Sequence, residues 1–364
     1  MQISLKWIGE LLNLQKVDLY YLIEKLTLGG FEVEKVIEVE LNSEKLLALD
    51  LSATANRSDS LSIKGISKEI STILNKPYKN SKYLSTINNW KKQFNDLIYK
   101  GPLKNDYLSF LALSIEGIKN FKSPKWLKEK LIQSGLETSD NFLDFQNYII
   151  LETGYPLEVY DLNKILSKLK TEDFNLQLIK ADKNEKFRIC NNFSYFLDNS
   201  ILTLKANQIT IGIAGITVGK EFIYSDKTTS LLIEASIFEP KMIRQQSRSL
   251  GLKTDRSSRY EKSIKPNDLV SSIYQLIHLL KVENPNLSCK IHTKGYILEE
   301  EQTIISLKYS TVNEILGPLK SSTQHKLKYI NPILISKYLD QLKFEYPQFE
   351  ESRHRLVLHL VQLR

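Results

Sequence analysis

Histidine, the side chain that most readily works as a general base near neutral pH, occurs at five positions: His278, His292, His325, His354 and His359. The first 277 residues therefore hold no His-dependent nucleophilic triad and no histidine-rich metal site, and no paired-histidine spacing of the metalloprotease kind follows. Cys190 and Cys289 lie far apart, which excludes a disulfide framework and a clustered thiolate zinc site and points to a reducing compartment. No Walker-type phosphate loop is present. The polar residues left to do chemistry sit in turns and at strand ends. Asn56-Arg57-Ser58-Asp59 reads as a turn feeding a helix capped by Asp59, Arg259 and Glu261 as a surface ion pair, and Glu234 as a strand-end carboxylate beside a lysine.

The elements that must position these residues belong to a chain of 364 residues, long enough for two or three domains. Its 42% hydrophobic and 25% charged residues are those of ordinary globular protein and exclude general disorder. No segment has the roughly 18 consecutive apolar residues of a membrane helix, and the start lacks an apolar signal core, so neither a membrane nor a secreted protein is expected. The net charge of +8 favours polyanionic partners such as RNA. Its source is 41 Lys against nine Arg, a bias that looks like coding from an AT-rich organelle or reduced bacterial genome.

The pattern is α+β, a mixed sheet with flanking helices rather than a doubly wound fold. In residues 1–78 Asp18 caps a helix with Leu19, Leu22, Ile23 and Leu26 on one face, stopped by Gly29-Gly30 before a short strand at Phe31. A charged turn leads to a strand at Leu47–Leu51 and a helix carrying Ile63, Ile66, Ile70 and Ile73, which completes a small helical N-terminal domain. Residues 79–105 read as a linker with at most a short helix near Trp90. Residues 106–288 form an α+β module, with a helix opened by Ser123-Pro124, a turn at Leu197-Asp198-Asn199, and Ile209, Ile211 and Ile213 on one strand face. Helices start at Pro240 and Pro266. Ile3-Ser4-Leu5-Lys6-Trp7 returns as Ile305-Ser306-Leu307-Lys308-Tyr309, and Leu22, Leu26, Phe31 and Glu32 return as Ile335, Leu339, Phe344 and Glu345. An incomplete domain related to the first is expected over residues 300–364.

Two stretches resemble signatures of the phenylalanyl-tRNA synthetase beta subunit of bacterial and plastid type. One is Asn56-Arg57-Ser58-Asp59-Ser60-Leu61 with Gly65 and Glu69. The other is Phe238-Glu239-Pro240 with Arg244, Gly251-Leu252, Thr254, Ser257 and Arg259-Tyr260-Glu261-Lys262. The segments Asp106–Leu131 and Asn147–Asp161 are similar to that family too, so the likeness runs from residue 1 to about 345. It implies an alpha2-beta2 tetramer in which the alpha subunit uses ATP and Mg²⁺ to attach phenylalanine to tRNA(Phe). The beta subunit supports assembly, contacts tRNA and carries an editing site that hydrolyses Tyr-tRNA. Neither a DNA nor a membrane partner follows from it, and no metal ligand or cofactor contact is identifiable in this chain.

Three departures from the family pattern bear on function. Val39–Leu46 joins its flanking elements directly where many bacterial relatives insert a tRNA-binding OB-fold, as in plastid-encoded versions. The family's editing positions, a Thr-Asn pair, a His, a Glu and a small Ala, read here Gln146-Asn147, Glu158, Glu234 and Arg256. A long cation replaces the side chain that makes room, so editing is expected to be weak or absent. Clear similarity ends after Glu345, which suggests a truncated or frame-shifted reading. The expectation is a plastid ligase beta subunit, not competent for aminoacylation alone, with a bacterial cytoplasmic origin as the other location. A tRNA- or partner-binding remnant and a free-standing aminoacyl-tRNA hydrolase are the alternatives.

Overall fold

The computed structural model describes residues 1–54, 56–79, 98–99, 107–189, 193–264, 266, 269–292, 297–298, 304–320, 327–342, 344–345 and 357–362. The chain divides into two compact units, Met1–Glu299 and Glu300–Arg364. The first begins with β1 (Gln2–Ser4), α1 (Leu5–Leu11), α2 (Leu19–Leu28), β2 (Phe31–Leu41), β3 (Glu44–Ala53) and α3 (Ile63–Ile73). Asp18 caps α2 by accepting from the Tyr21 amide, and Leu22 and Leu26 are buried, as the spacing predicts.

Two expectations for this stretch change. The charged turn is the outer face of a long hairpin: Glu32, Glu34, Glu38 and Glu40 are exposed along β2, which pairs with β3 and turns at Asn42 and Ser43, φ 52° and 64°. Three strands in the order β1-β3-β2 therefore stand beside the helices. Asp59 caps nothing. It lies in a single 3₁₀ turn, Ser58–Ser60, and Ser62 caps α3 by accepting from the Gly65 amide. Asp59 is instead taken by Arg57, with Arg57 Nε and Nη2 at 3.0 and 2.9 Å from its two carboxylate oxygens.

Beyond it come β4 (Ile98–Tyr99), β5 (Tyr107–Ser109), β6 (Ala112–Glu116), α4 (Lys125–Gln133), α5 (Phe142–Thr153), β7 (Glu158–Asp161) and α6 (Leu162–Leu169). A run of strands follows: β8 (Leu176–Lys180), β9 (Glu185–Arg188), β10 (Ser194–Leu197), β11 (Leu202–Ala206), β12 (Ile209–Ile213), β13 (Thr217–Val218), β14 (Leu231–Glu234) and β15 (Ile237–Phe238). Then α7 (Pro240–Leu250), α8 (Asp255–Tyr260) and α9 (Leu269–Glu283) precede β16 (Ser288–Ile291) and β17 (Ile297–Leu298). The sheets run β16-β6-β14-β7, β13-β12-β11-β8 and β15-β5-β17-β4, with β9 and β10 as a separate pair. Leu197-Asp198-Asn199 is a turn but closes no hairpin, because β10 pairs with β9 while β11 pairs with β8 and β12. Part of the expected linker, β4, joins a sheet beside β17; the rest of residues 79–105, Trp90 included, lies outside the described residues apart from Lys79.

The largest buried cluster of this unit joins the N-terminal elements to the α+β module. Trp7 stacks on Tyr148 with ring centroids 5.1 Å apart, and Ile3 and Ile8 share a buried cluster with Leu127, Leu131 and Ile149. Among the described residues no helix is long and apolar enough to cross a membrane.

In the second unit β18 (Ile304–Lys308) leads to α10 (Tyr309–Leu316), a short pair β19 (Leu319–Lys320) and β20 (Leu327–Lys328), then α11 (Pro332–Gln341), β21 (Phe344–Glu345) and β22 (Val357–Gln362). The sheet order β18-β22-β21 repeats β1-β3-β2, the last strand lying in the middle each time. Ile335 and Leu339 are the buried pair of α11, where Leu22 and Leu26 stand in α2. The end of the sequence, read as dissimilar, thus supplies the strand equivalent to β3: Ile305 pairs with Leu360 as Ile3 pairs with Leu49.

Candidate functional site

Antiparallel pairing of β7 with β14 sets Glu158 directly opposite Glu234. Strand alternation puts Tyr160 on the same face as Glu158. Across this face lies α8, begun by a capping box in which Thr254 accepts from the Ser257 amide and Ser257 returns the bond to Thr254. The cap fixes the first turn, and with it Arg256. Arg256 Nη1 lies 2.6 Å from Glu158 Oε2, and Nη2 lies 3.1 Å from Glu234 Oε2. The Tyr160 hydroxyl donates to the same Glu234 oxygen at 3.3 Å. One turn beyond Arg256, the Tyr260 hydroxyl donates to the carbonyls of Pro156 and Ser236 at 3.0 and 2.8 Å, and its ring lies 5.6 Å from the guanidinium carbon. Gly212 is required beneath: a Cβ there would stand 2.6 Å from the Tyr160 hydroxyl oxygen.

The cluster is dry. Glu234 is fully buried and Arg256 is 8% exposed. Burial pushes the Glu158 carboxyl above its ordinary value; the Arg256 charge pulls it down and the facing Glu234 pushes it up. Burial alone would lower the Arg256 pKa, but the charges of Glu158 and Glu234 hold it well above its ordinary value. Burial and the two carboxylates also raise the Tyr160 phenol, which stays protonated. Among the described residues Glu234 Oε1 and Arg256 Nε have no hydrogen-bond partner, so one guanidinium between two carboxylates leaves both sides incompletely satisfied.

Chemically, this is an ion triad. A guanidinium does not act as a base, both phenols are held protonated, and each carboxylate has an oxygen bound to the cation. Gln146 is engaged elsewhere, donating to the Leu157 carbonyl at 2.7 Å and accepting from the Tyr224 hydroxyl at 3.4 Å. Asn147 is half-buried on α5 and is not among the groups bonded to the triad. No group of three His, Cys, Asp or Glu side chains among the described residues is placed to hold a metal ion.

The other motif residues form a latch. Arg57 binds Asp59 and, at 2.8 Å, Glu69, and its guanidinium covers the Phe31 ring at 4.9 Å. Arg259 reaches back from α8 to the Leu61 carbonyl at 2.8 Å while Asp255 holds its Nε at 2.9 Å, and Ser58 donates to the Ser263 carbonyl. Arg244 approaches Glu261 at 3.6 Å, and Asn56 accepts from Thr54. The Asn-Arg-Ser-Asp turn is thereby tied to the helix that carries Arg256. Gly65 lets the turn close, since a Cβ there would stand 1.7 Å from the Asp59 carbonyl oxygen. Gly65→Ala should cost about 1–3 kcal/mol in a denaturant titration; a change below about 0.5 kcal/mol would rule out this packing role.

Tyr160, Tyr260, Tyr224 and Gly212 were given no role from the sequence, although Tyr260 stands within the Arg259–Lys262 signature. Period two from Glu158 and a step of four from Arg256 mark the first two once the strand and helix are known. Nothing local marks Tyr224 or Gly212.

The B3/4 domain family model matches residues 106–282, the module that holds the triad. The chloroplastic phenylalanine–tRNA ligase beta subunit of Phaeodactylum tricornutum is 49% identical over 95% of this chain and 49% of its own length. That of Porphyra purpurea is 27% identical over 98% of this chain and 49% of its own, and the beta subunit of a Prochlorococcus marinus strain is 33% identical over 74% and 33%. The chain spans about half the length of the first two relatives. With the motif residues in one latch, its module matched by the B3/4 model and its sequence aligned almost throughout, the chain belongs to the phenylalanyl-tRNA synthetase beta-subunit family of plastid and bacterial type.

Proposed function

We propose that the chain acts as the beta component of phenylalanine–tRNA ligase, holding an alpha subunit and tRNA(Phe) in an alpha2-beta2 assembly and supporting ATP-dependent attachment of phenylalanine, without an effective Tyr-tRNA editing site. Family membership supports the first part. The observation that carries the second is Arg256, clamped between Glu158 and Glu234 where hydrolysis would need an open pocket and a free base. ATP and Mg²⁺ belong to the alpha subunit in this reading, since Glu158 and Glu234 are committed to a cation of the chain itself. The lysine-rich composition and the chloroplastic relatives support a plastid location.

Co-expression with the alpha subunit of the same genome, followed by size analysis, phenylalanine charging and deacylation of Tyr-tRNA(Phe), tests all of this. The expected result is a charging complex whose Tyr-tRNA half-life equals that of the alpha-free, enzyme-free control. A folded chain that binds no alpha subunit would overturn the ligase role, and rapid Tyr-tRNA hydrolysis would overturn the closed editing site.

A further inference from the structure

Strands β9 and β10 form a short hairpin whose register is Ser194–Arg188, Tyr195–Phe187, Phe196–Lys186 and Leu197–Glu185. Alternation sorts its side chains onto two faces. Phe187 and Leu197 face inward, buried with Ile189, Ile201, Ile213 and Ile216, and Tyr195 packs against them. Lys186, Arg188, Ser194 and Phe196 face outward. Phe196 is 70% exposed, paired across the strands with Lys186 and flanked by Arg188, and Phe193 at the strand's entry is 64% exposed. Phe196 is a costly residue to leave in water, because most of its apolar surface stays uncovered there.

The charges on this surface have one sign. Lys186 and Arg188 meet no carboxylate in an ion pair among the described residues, while the nearby acids Asp182 and Glu185 are turned to Lys205, at 2.7 and 3.2 Å. Two exposed rings interleaved with free cations suit a chain of stacked bases joined by phosphates, since aromatic faces take any base and Lys and Arg track the backbone. A protein partner fits less well, as the buried centre of protein interfaces is depleted in lysine.

We propose that the outer face of the β9–β10 hairpin is a single-stranded RNA contact, with Phe196 stacking a base and Lys186 and Arg188 holding neighbouring phosphates. The proposal deepens the ligase-subunit reading and rests on it for tRNA as the natural strand. It is sited in the module that holds the triad: the core beneath the hairpin includes Ile216, whose carbonyl accepts from the Thr254 hydroxyl at the cap of α8.

The test is fluorescence anisotropy of an end-labelled oligouridylate titrated with the full chain, with a duplex RNA of equal length for comparison. Phe196→Ala should weaken single-strand binding about tenfold and Phe196→Trp should restore it, both with a nearly unchanged melting temperature because the ring is mostly exposed. Replacing Lys186 and Arg188 with Gln should reduce the slope of log affinity against log salt by about 1.4, two phosphate contacts' worth on a single strand. Binding unchanged by these substitutions, or absent in the unmodified chain, overturns the proposal. So does a hairpin whose substitution leaves RNA binding intact and releases the alpha subunit, which would make the face a protein contact. The charging assay separates the two readings. Normal charging with RNA binding indifferent to Phe196 sinks the hairpin alone, whereas Phe196-dependent binding without an alpha complex sinks the ligase role alone.

Discussion

Arg256→Ala by itself is expected to lower the stability of the folded chain by about 3–5 kcal/mol, the usual cost of removing one partner from a buried ionic cluster. The reason is what remains. Glu158 and Glu234 stay directly opposite each other on β7 and β14 with the cation gone, two facing carboxylates of which one is fully buried and the other half-buried. The loss should depend on pH in a definite direction. A carboxyl whose folded pKa lies above its unfolded value favours the fold at low pH, and that contribution is lost as pH rises through the folded value. Glu158 already stands above the ordinary 4.5 because of burial, and Arg256 is the main influence pulling it down. In the variant it must rise further. The deficit relative to the unmodified chain should therefore be largest near pH 8 and shrink toward about pH 5, above the ordinary carboxylate range. Urea titrations across that window measure it, and a deficit that is below about 1 kcal/mol or grows toward acid would refute the triad's role. Adding Glu158→Gln should recover most of the loss, with a coupling of about 1–3 kcal/mol in the double-mutant cycle.

The triad also marks the limit of what was legible in the sequence. The likeness to the beta-subunit family identified Glu158, Glu234 and Arg256 one by one, two of them as departures. That the departures answer each other required the fold, because Glu158 and Arg256 are 98 positions apart and meet only through β7 and the cap of α8. Local signals fared well where the deciding contact is local: Asp18, Gly30 and Glu239 each begin or end a helix as their spacing predicts. They failed at Asp59, whose natural cap position lost to the bidentate Arg57 bond while Ser62 took the cap. They failed again along β2, where alternate glutamates on a solvated face look like a turn when read without their partner strand. Residues 357–362 carry too little sequence likeness to betray their equivalence to β3; only the pairing of Ile305 with Leu360 does so.

If Arg256 and Glu158 together close the site, reversing both should reopen it. Arg256→Ala removes the side chain that fills the space and frees the Glu234 carboxylate, which then offers a buried acceptor for a phenolic hydroxyl. A site built to hydrogen-bond such a hydroxyl can distinguish tyrosine from phenylalanine far better than an apolar pocket does. Glu158→His removes the facing carboxylate, so the single variant's repulsion is absent, and adds an imidazole able to take a proton from water as it attacks the ester carbonyl. The double variant should hydrolyse Tyr-tRNA(Phe) on the order of 10² faster than the unmodified chain, with Phe-tRNA(Phe) affected much less. Arg256→Ala alone should gain little, because its uncompensated carboxylates disfavour both the fold and an incoming ester. The fold must survive for the result to bear on the site, and the expected sign is a melting temperature for the double variant above that of Arg256→Ala. A double variant that melts cooperatively yet hydrolyses Tyr-tRNA no faster than the parent would mean that Arg256 and Glu158 do not close the pocket, and that hydrolysis was lost through Gln146 or through elements beyond the triad.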